Sequence, residues 1–292
     1  MNQPPKFEYN STYISIMRLH FLFVLGFSLL TTSSFAQAQE ATKQGFLIGE
    51  RLVYHSKILN EDRTLNIYLP VGYTTNSDRK YPVIYLLDGS KDEDFHHISG
   101  LVQFCSYSWI NVIPETIVVG IENVDRKRDF TYPTTIEKDK IDFPTTGGSE
   151  NFIHFLEKEL QPYIDSMYAV SSGKTIIGQS LGGLLATEIL AKKPDLFDTY
   201  IIVSPSLWWD NESLLDLEFA NYTEAKSVYI TLGEEGEIMR NGAKALYKKL
   251  KKSDHPLAFL EHHFLKEQDH GDALHMGVYN AFEAMKVEIK SK

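Results

Sequence analysis

One stretch constrains this chain more than any other. It runs Lys174-Thr-Ile-Ile-Gly-Gln-Ser180-Leu-Gly-Gly-Leu-Leu-Ala-Thr-Glu-Ile-Leu-Ala-Lys-Lys-Pro194. Its centre, Gly178-Gln179-Ser180-Leu181-Gly182, fits the G-x-S-x-G pattern of a nucleophile elbow. Three fixed positions recur by chance in about one chain in ten of this length, so the flanks decide. Before the pattern, Ser171-Ser172-Gly173 reads as a turn and Thr175-Ile176-Ile177 as a short, buried β-branched strand. After it, Leu181 to Ala191 is apolar nearly all round, interrupted only by Thr187 and Glu188, as a buried central helix requires. Lys192 and Lys193 suit the negative end of that helix, and Pro194 stops it.

A strand that turns sharply into a helix leaves little room at the bend. Glycines two residues either side of the serine let the backbones pass, and the serine is held at a strained angle with its hydroxyl exposed. The same turn aims the Leu181 amide, at a helix N-terminus, toward an oxyanion formed there.

The rest of the chain supplies matching elements. Arg63 to Leu69 alternates as a half-buried strand, and Tyr81 to Leu87 and Thr116 to Ile121 are continuous apolar runs suited to interior parallel strands. Ser149 to Ile164 reads as a helix with Ser149 as its cap. Tyr200 to Val203 and Val228 to Leu232 are further buried strands, with Ser204-Pro-Ser-Leu-Trp-Trp-Asp210 a loop between them. Arg240 to Lys251 is a helix, Leu257 to Phe264 a strand and His275 to Ile289 the closing helix. Strands alternating with helices predict a mostly parallel central sheet with helices on both faces. Ligands of such sheets bind outside the carboxyl ends of the strands, which turns those ends into a set of site candidates.

The N-terminus stands apart from this pattern. Phe21 to Leu30 is an apolar run of signal-peptide length, and Ala36-Gln37-Ala38 gives a small-x-small cleavage site. Residues 1–38 are therefore expected to be a signal peptide, with Met17 an alternative start that would leave a basic n-region ahead of the run. An uncleaved anchor is the other reading. Cleavage would leave residues 39–292 as a single domain, exported to the periplasm or secreted, with no stable membrane insertion. It would also leave 27 Lys and Arg against 38 Asp and Glu, a formal charge of −11 in place of −10 for the 292-residue chain. An acidic chain without a basic tract is not expected to bind nucleic acid. Cys105 is the single cysteine and lies in an apolar run, so it reads as a buried, inert thiol. The sequence assigns no oligomeric state.

An exposed serine needs a base to take its proton and a carboxylate to orient that base, in the chain order Ser, acid, His for this architecture. His270 is the candidate base, because Leu265 to Asp272 is a polar loop after the last strand, with Gly271 to let it bend. His262 and His263 lie within a strand, and His55, His96 and His97 precede the serine. The acid should follow the strand ending at Leu232, where Gly233-Glu-Glu-Gly-Glu237 offers three carboxylates; Glu235 is preferred, then Glu237. The second oxyanion amide should come from Asp88-Gly89-Ser90, from Gly89 or Ser90. His96 and His97 in a charged loop lack a ligand spacing, and neither metal nor cofactor is assigned. Arg126, Arg128, Trp208 and Trp209 follow strand ends and are candidates for substrate binding at a positive, aromatic-walled mouth.

These pieces together resemble a known family. Tyr81-Pro-Val-Ile-Tyr-Leu-Leu-Asp-Gly89, Asp125-Arg-Lys-Arg-Asp129, Gly178-Gln-Ser-Leu-Gly-Gly183, Ser204-Pro-Ser-Leu-Trp-Trp209 and the Asp269-His270-Gly271 loop are similar to the putative-esterase branch of the α/β-hydrolases, which includes siderophore esterases, feruloyl esterases and S-formylglutathione hydrolases. The resemblance implies the α/β-hydrolase fold, Ser180 as nucleophile and His270 as base, with the third member open between a carboxylate and a Ser-His pair. The expected activity is hydrolysis of a small-molecule carboxylic ester through an acyl-enzyme, and an aromatic, anionic ester is the expected substrate class. Acyl transfer on the same fold, or a non-catalytic binding protein on a hydrolase scaffold, are the rival readings.

Overall fold

The apolar runs assemble into one eight-stranded sheet in the order β1-β2-β4-β3-β5-β6-β7-β8. In chain order the strands are β1 (Gly49–Ser56), β2 (Glu61–Tyr68), β3 (Tyr81–Leu86), β4 (Ile117–Ile121), β5 (Val170–Gln179), β6 (Thr199–Val203), β7 (Lys226–Gly233) and β8 (Leu257–Leu265). β2 runs against both its neighbours, and every pair from β4 to β8 is parallel. This is a computed structural model, and it describes residues 42–75 and 78–289. The expected signal peptide lies outside the described residues. Among them, no helix is long and apolar enough to cross a membrane.

The helices are α1 (Phe95–Ser106), α2 (Arg126–Phe130), α3 (Glu137–Asp142), α4 (Ser149–Phe155), α5 (Gln161–Met167), α6 (Leu181–Lys192), α7 (Ser213–Asp216), α8 (Glu237–Lys252) and α9 (Ala273–Ile289). Side chains alternate across the parallel strands, and the two cores follow from that period. Val83, Tyr85, Val119, Ile176, Ile202 and Ile230 point into the core shared with α4, α5, α6 and α8. Ile84, Leu86, Val118, Ile177, Ile201 and Tyr229 point the other way, onto α1 and α9. α6 crosses the middle of the first layer with every residue from Leu181 to Ala191 buried. Cys105 is fully buried on α1, and burial pushes its thiol up to about 11, which leaves it without nucleophilic character.

Three local expectations are corrected. Ser171 to Gly173 is not a turn: β5 already begins at Val170, paired with Tyr81, and a bulge between Tyr81 and Val83 absorbs the extra residues. His96 and His97 lie not in a loop but in the first turn of α1, whose buried side chains Phe95, Ile98, Val102 and Cys105 keep helical spacing, and the charged residues Lys91 to Asp94 form the turn before it. The helix from Ser149 is capped by Gly148, not Ser149, and passes through a π turn at Leu156–Leu160 before α5. That turn carries Glu159 to the β1–β2 hairpin, where its carboxylate accepts from the Ser56 hydroxyl and from the Lys57 and Ile58 amides.

Candidate active site

The site forms where β3, β5, β6 and β7 end. β5 delivers Ser180 at φ 60° and ψ −119°, with α6 starting at the next residue. The crossing is tight: a Cβ on Gly178 would lie 2.3 Å from the Gly182 carbonyl oxygen, so only glycine fits there. The Ser180 backbone is clamped on both sides, its N–H donating to the Val203 carbonyl at 3.0 Å and its carbonyl accepting from Ser206 at 3.0 Å. Leu181 is the first residue of α6, so its amide sits at the positive end of the helix.

The loop after β8 carries His270, and the loop after β7 carries Glu235. The His270 Nδ1 lies 2.6 Å from Glu235 Oε2. A carboxylate only accepts, so Nδ1 is the donor and Nε2 is turned away from the acid. The Glu235 side chain is 3% exposed and that of His270 is 49% exposed. Burial alone would raise the Glu235 carboxyl, but hydrogen bonds from His270, Ser204 and the Gly233 amide hold it below the usual carboxylate range. The bond to Glu235 in turn holds His270 above the ordinary imidazole range, against burial and the nearby charge of Arg126. The His270 carbonyl accepts from the Gln179 side chain, which ties the base loop to the residue just before Ser180. Glu237 stands exposed in the first turn of α8 and takes no part in this contact.

The turn after β3 needs a correction. The Gly89 N–H donates to the Ile121 carbonyl at 3.0 Å and is spent within the sheet. A Cβ on Gly89 would also lie 2.4 Å from Gly120 Cα, so this glycine serves the close approach of β3 to β4. Among the described residues the Ser90 N–H makes no backbone–backbone hydrogen bond but meets the Glu93 carboxylate, so neither amide named from sequence stands free in this turn. Asp88 precedes it at φ 55° and is gripped by Arg126, with Nε to Oδ1 at 2.6 Å and Nη2 to Oδ2 at 2.9 Å. Arg126 also donates to the Gln179 carbonyl at 3.2 Å. It reaches the elbow as its strand-end position implied, but two of its three nitrogens are occupied there.

Arg128 and Trp209 are displaced from the mouth. The Arg128 guanidinium is taken up by Glu61 and Asp129, and Asp129 also pairs at 2.7 Å with the fully buried Arg63. This is a structural ion network joining β2 to α2. Trp209 is fully buried and its indole N–H donates to the Tyr132 carbonyl at 2.9 Å, so it is a core residue. Trp208 is half-buried, beside Phe143. Four residues at the site escaped the sequence reading: Asp88, Gln179, Ser204 and Ser206. Their signal was present, since each lies at or just beyond the carboxyl end of a strand.

Strand order, the single reversed strand, the elbow and the flanking helices define an α/β-hydrolase fold. The chain belongs to the family described as putative esterase, whose model matches residues 56–267. It is 34% identical over 231 residues to the ferri-bacillibactin esterase BesA of Bacillus subtilis, covering 72% of this chain and 80% of that one. A solved structure titled as an IroE-like serine hydrolase from Shewanella oneidensis superposes with a TM-score of 0.73 at 30% identity, covering 82% of this chain and 80% of that chain. The BES protein from Bacillus cereus gives the same TM-score of 0.73 at 28% identity, covering 84% of this chain and 98% of that chain. The chain is, by class, a carboxylic-ester hydrolase.

Proposed function

We propose that the protein is an exported serine esterase with Ser180 as nucleophile, His270 as base and Glu235 as the orienting acid, acting on siderophore-like esters. The observation that carries the reading is the 2.6 Å contact of His270 with Glu235, in a loop pinned by Gln179 to the strained elbow. His270 Nε2 takes the Ser180 proton as Oγ attacks the ester carbonyl, then gives it to the departing alcohol. The Leu181 amide, at the start of α6, receives the negative oxygen, and loss of such a donor typically costs about a hundredfold in turnover. Water then attacks the acyl-enzyme, His270 again takes the proton, and the acid leaves with Ser180 restored.

The substrate class rests on likeness to the ferri-bacillibactin esterase and on Arg126, the cation beside His270. A fluorophosphonate should label Ser180, and Ser180→Ala should lose both labelling and ester hydrolysis while keeping its far-ultraviolet circular dichroism. Normal turnover by that folded variant refutes the mechanism. Export is read from the apolar run and the Ala-Gln-Ala site. N-terminal sequencing of the exported protein should begin at Gln39, and a mature chain retaining Phe21 to Leu30 overturns it.

A further inference from the structure

The segment Ser204-Pro205-Ser206 lies between the two ends of the catalytic set, and the three catalytic residues alone give it no role. Ser204 closes β6 at φ 46°, a left-handed conformation that serine seldom adopts. Its N–H donates to the Thr231 carbonyl of β7 at 2.7 Å, and its side chain is turned toward the end of that strand. There its hydroxyl donates to Glu235 Oε1 at 2.5 Å, and the Gly233 amide meets the same oxygen at 2.8 Å. With Oε1 held twice, the carboxylate is fixed with Oε2 toward His270. Removing the hydroxyl leaves one anchor and lets the carboxylate swing.

Two residues on, Ser206 is 2% exposed, and its Oγ lies 3.3 Å from Ser180 Oγ. If Ser206 is the donor, the proton of Ser180 is left to point at His270. Between the two serines, Pro205 is braced on the nucleophile helix: a Cβ on Gly183 would stand 3.0 Å from Pro205 Cα. One short segment thus grips the acid with one hydroxyl and the nucleophile with the other.

We propose that Ser204-Pro205-Ser206 is a positioning bridge that aligns both ends of the proton relay, Ser204 through the Glu235 carboxylate and Ser206 through the Ser180 hydroxyl. It rests on the assignment of Ser180, His270 and Glu235 made above. The test is a double-mutant cycle of Ser204→Ala with Glu235→Ala, read as kcat and KM on one ester. Ser204→Ala should lower kcat about tenfold with KM unchanged, the scale of a hydrogen bond to a charged group. In the Glu235→Ala background the same change should cost nothing further, because its effect passes through the carboxylate. Equal losses in both backgrounds overturn the bridge and make Ser204 a purely structural residue. A silent Glu235→Ala would instead remove the triad itself, so the two failures are distinguishable. Ser206→Ala should slow phosphonate labelling of Ser180 about tenfold, and an unchanged labelling rate overturns its half of the proposal. If the alanine variant at 204 does not fold, Ser204→Gly, which suits the backbone, carries the same cycle.

Discussion

Single side chains at this site hold opposite tendencies in balance. Glu235 is kept ionised in a nearly buried position by three donors, and His270 is kept basic chiefly by Glu235, with Asp269 adding to it. In the proposed mechanism neutral His270 is the base, and its proton affinity is raised. Activity should therefore fall as pH drops through a value above the ordinary imidazole figure of about 6.5. Glu235→Gln should move that acid limb of kcat/KM to lower pH while reducing turnover, and Glu237→Gln should leave the limb in place. A limb unmoved by Glu235→Gln refutes the pairing. The same shift has a stability sign: while Glu235 stays ionised, the His270 contribution is fully present below the unfolded pKa of histidine and fades as pH rises through the folded value.

Arg128, assigned to the mouth from sequence, belongs to the Arg63–Asp129 network, and the two roles predict different measurements. Arg128→Ala should lower the melting temperature while leaving kcat/KM for anionic and neutral esters in the same ratio. Asp129→Ala, which strips the fully buried Arg63 of its buried carboxylate partner, should cost about 3 kcal/mol or more in denaturant unfolding. A changed ratio of anionic to neutral ester turnover in Arg128→Ala would return that residue to the site.

Elements show where sequence carries the answer and where it does not. The interior strands were legible because both their faces are covered, which writes them as unbroken apolar runs. The elbow was legible because its glycines answer a local collision. α1 was not legible although Phe95, Ile98, Val102 and Cys105 mark its buried stripe, because the charged turn Lys91 to Asp94 directly before it makes its start read as a loop. Whether the Gly89 amide is free could not be read locally, because its partner, Ile121, belongs to a strand that follows far along the chain. The π turn has no sequence marker at all, yet it sets where Glu159 points. Glu159→Ala should unpin the β1–β2 hairpin and speed hydrogen exchange at the Lys57 and Ile58 amides, with little change at β6. Unchanged protection at those two amides would show that the hairpin does not depend on this cap.

At the scale of the whole molecule, three of the eight described non-glycine residues with positive φ gather at the site. Asp88, Ser180 and Ser204 stand at or just past the ends of β3, β5 and β6, three strands that lie side by side in the sheet. Each non-glycine residue held there costs about 1 kcal/mol or more. The consequence concerns how such a protein can change. A laboratory selection for heat resistance alone would find some of its easiest gains at these three positions, by substitution with glycine, and its winners would tend to be robust and catalytically dead. Natural selection on hydrolysis must keep refusing those gains. The strain is thus a standing record that the chain has been held to a task, and lineages released from that task should lose it first at Ser180 and its two flanks.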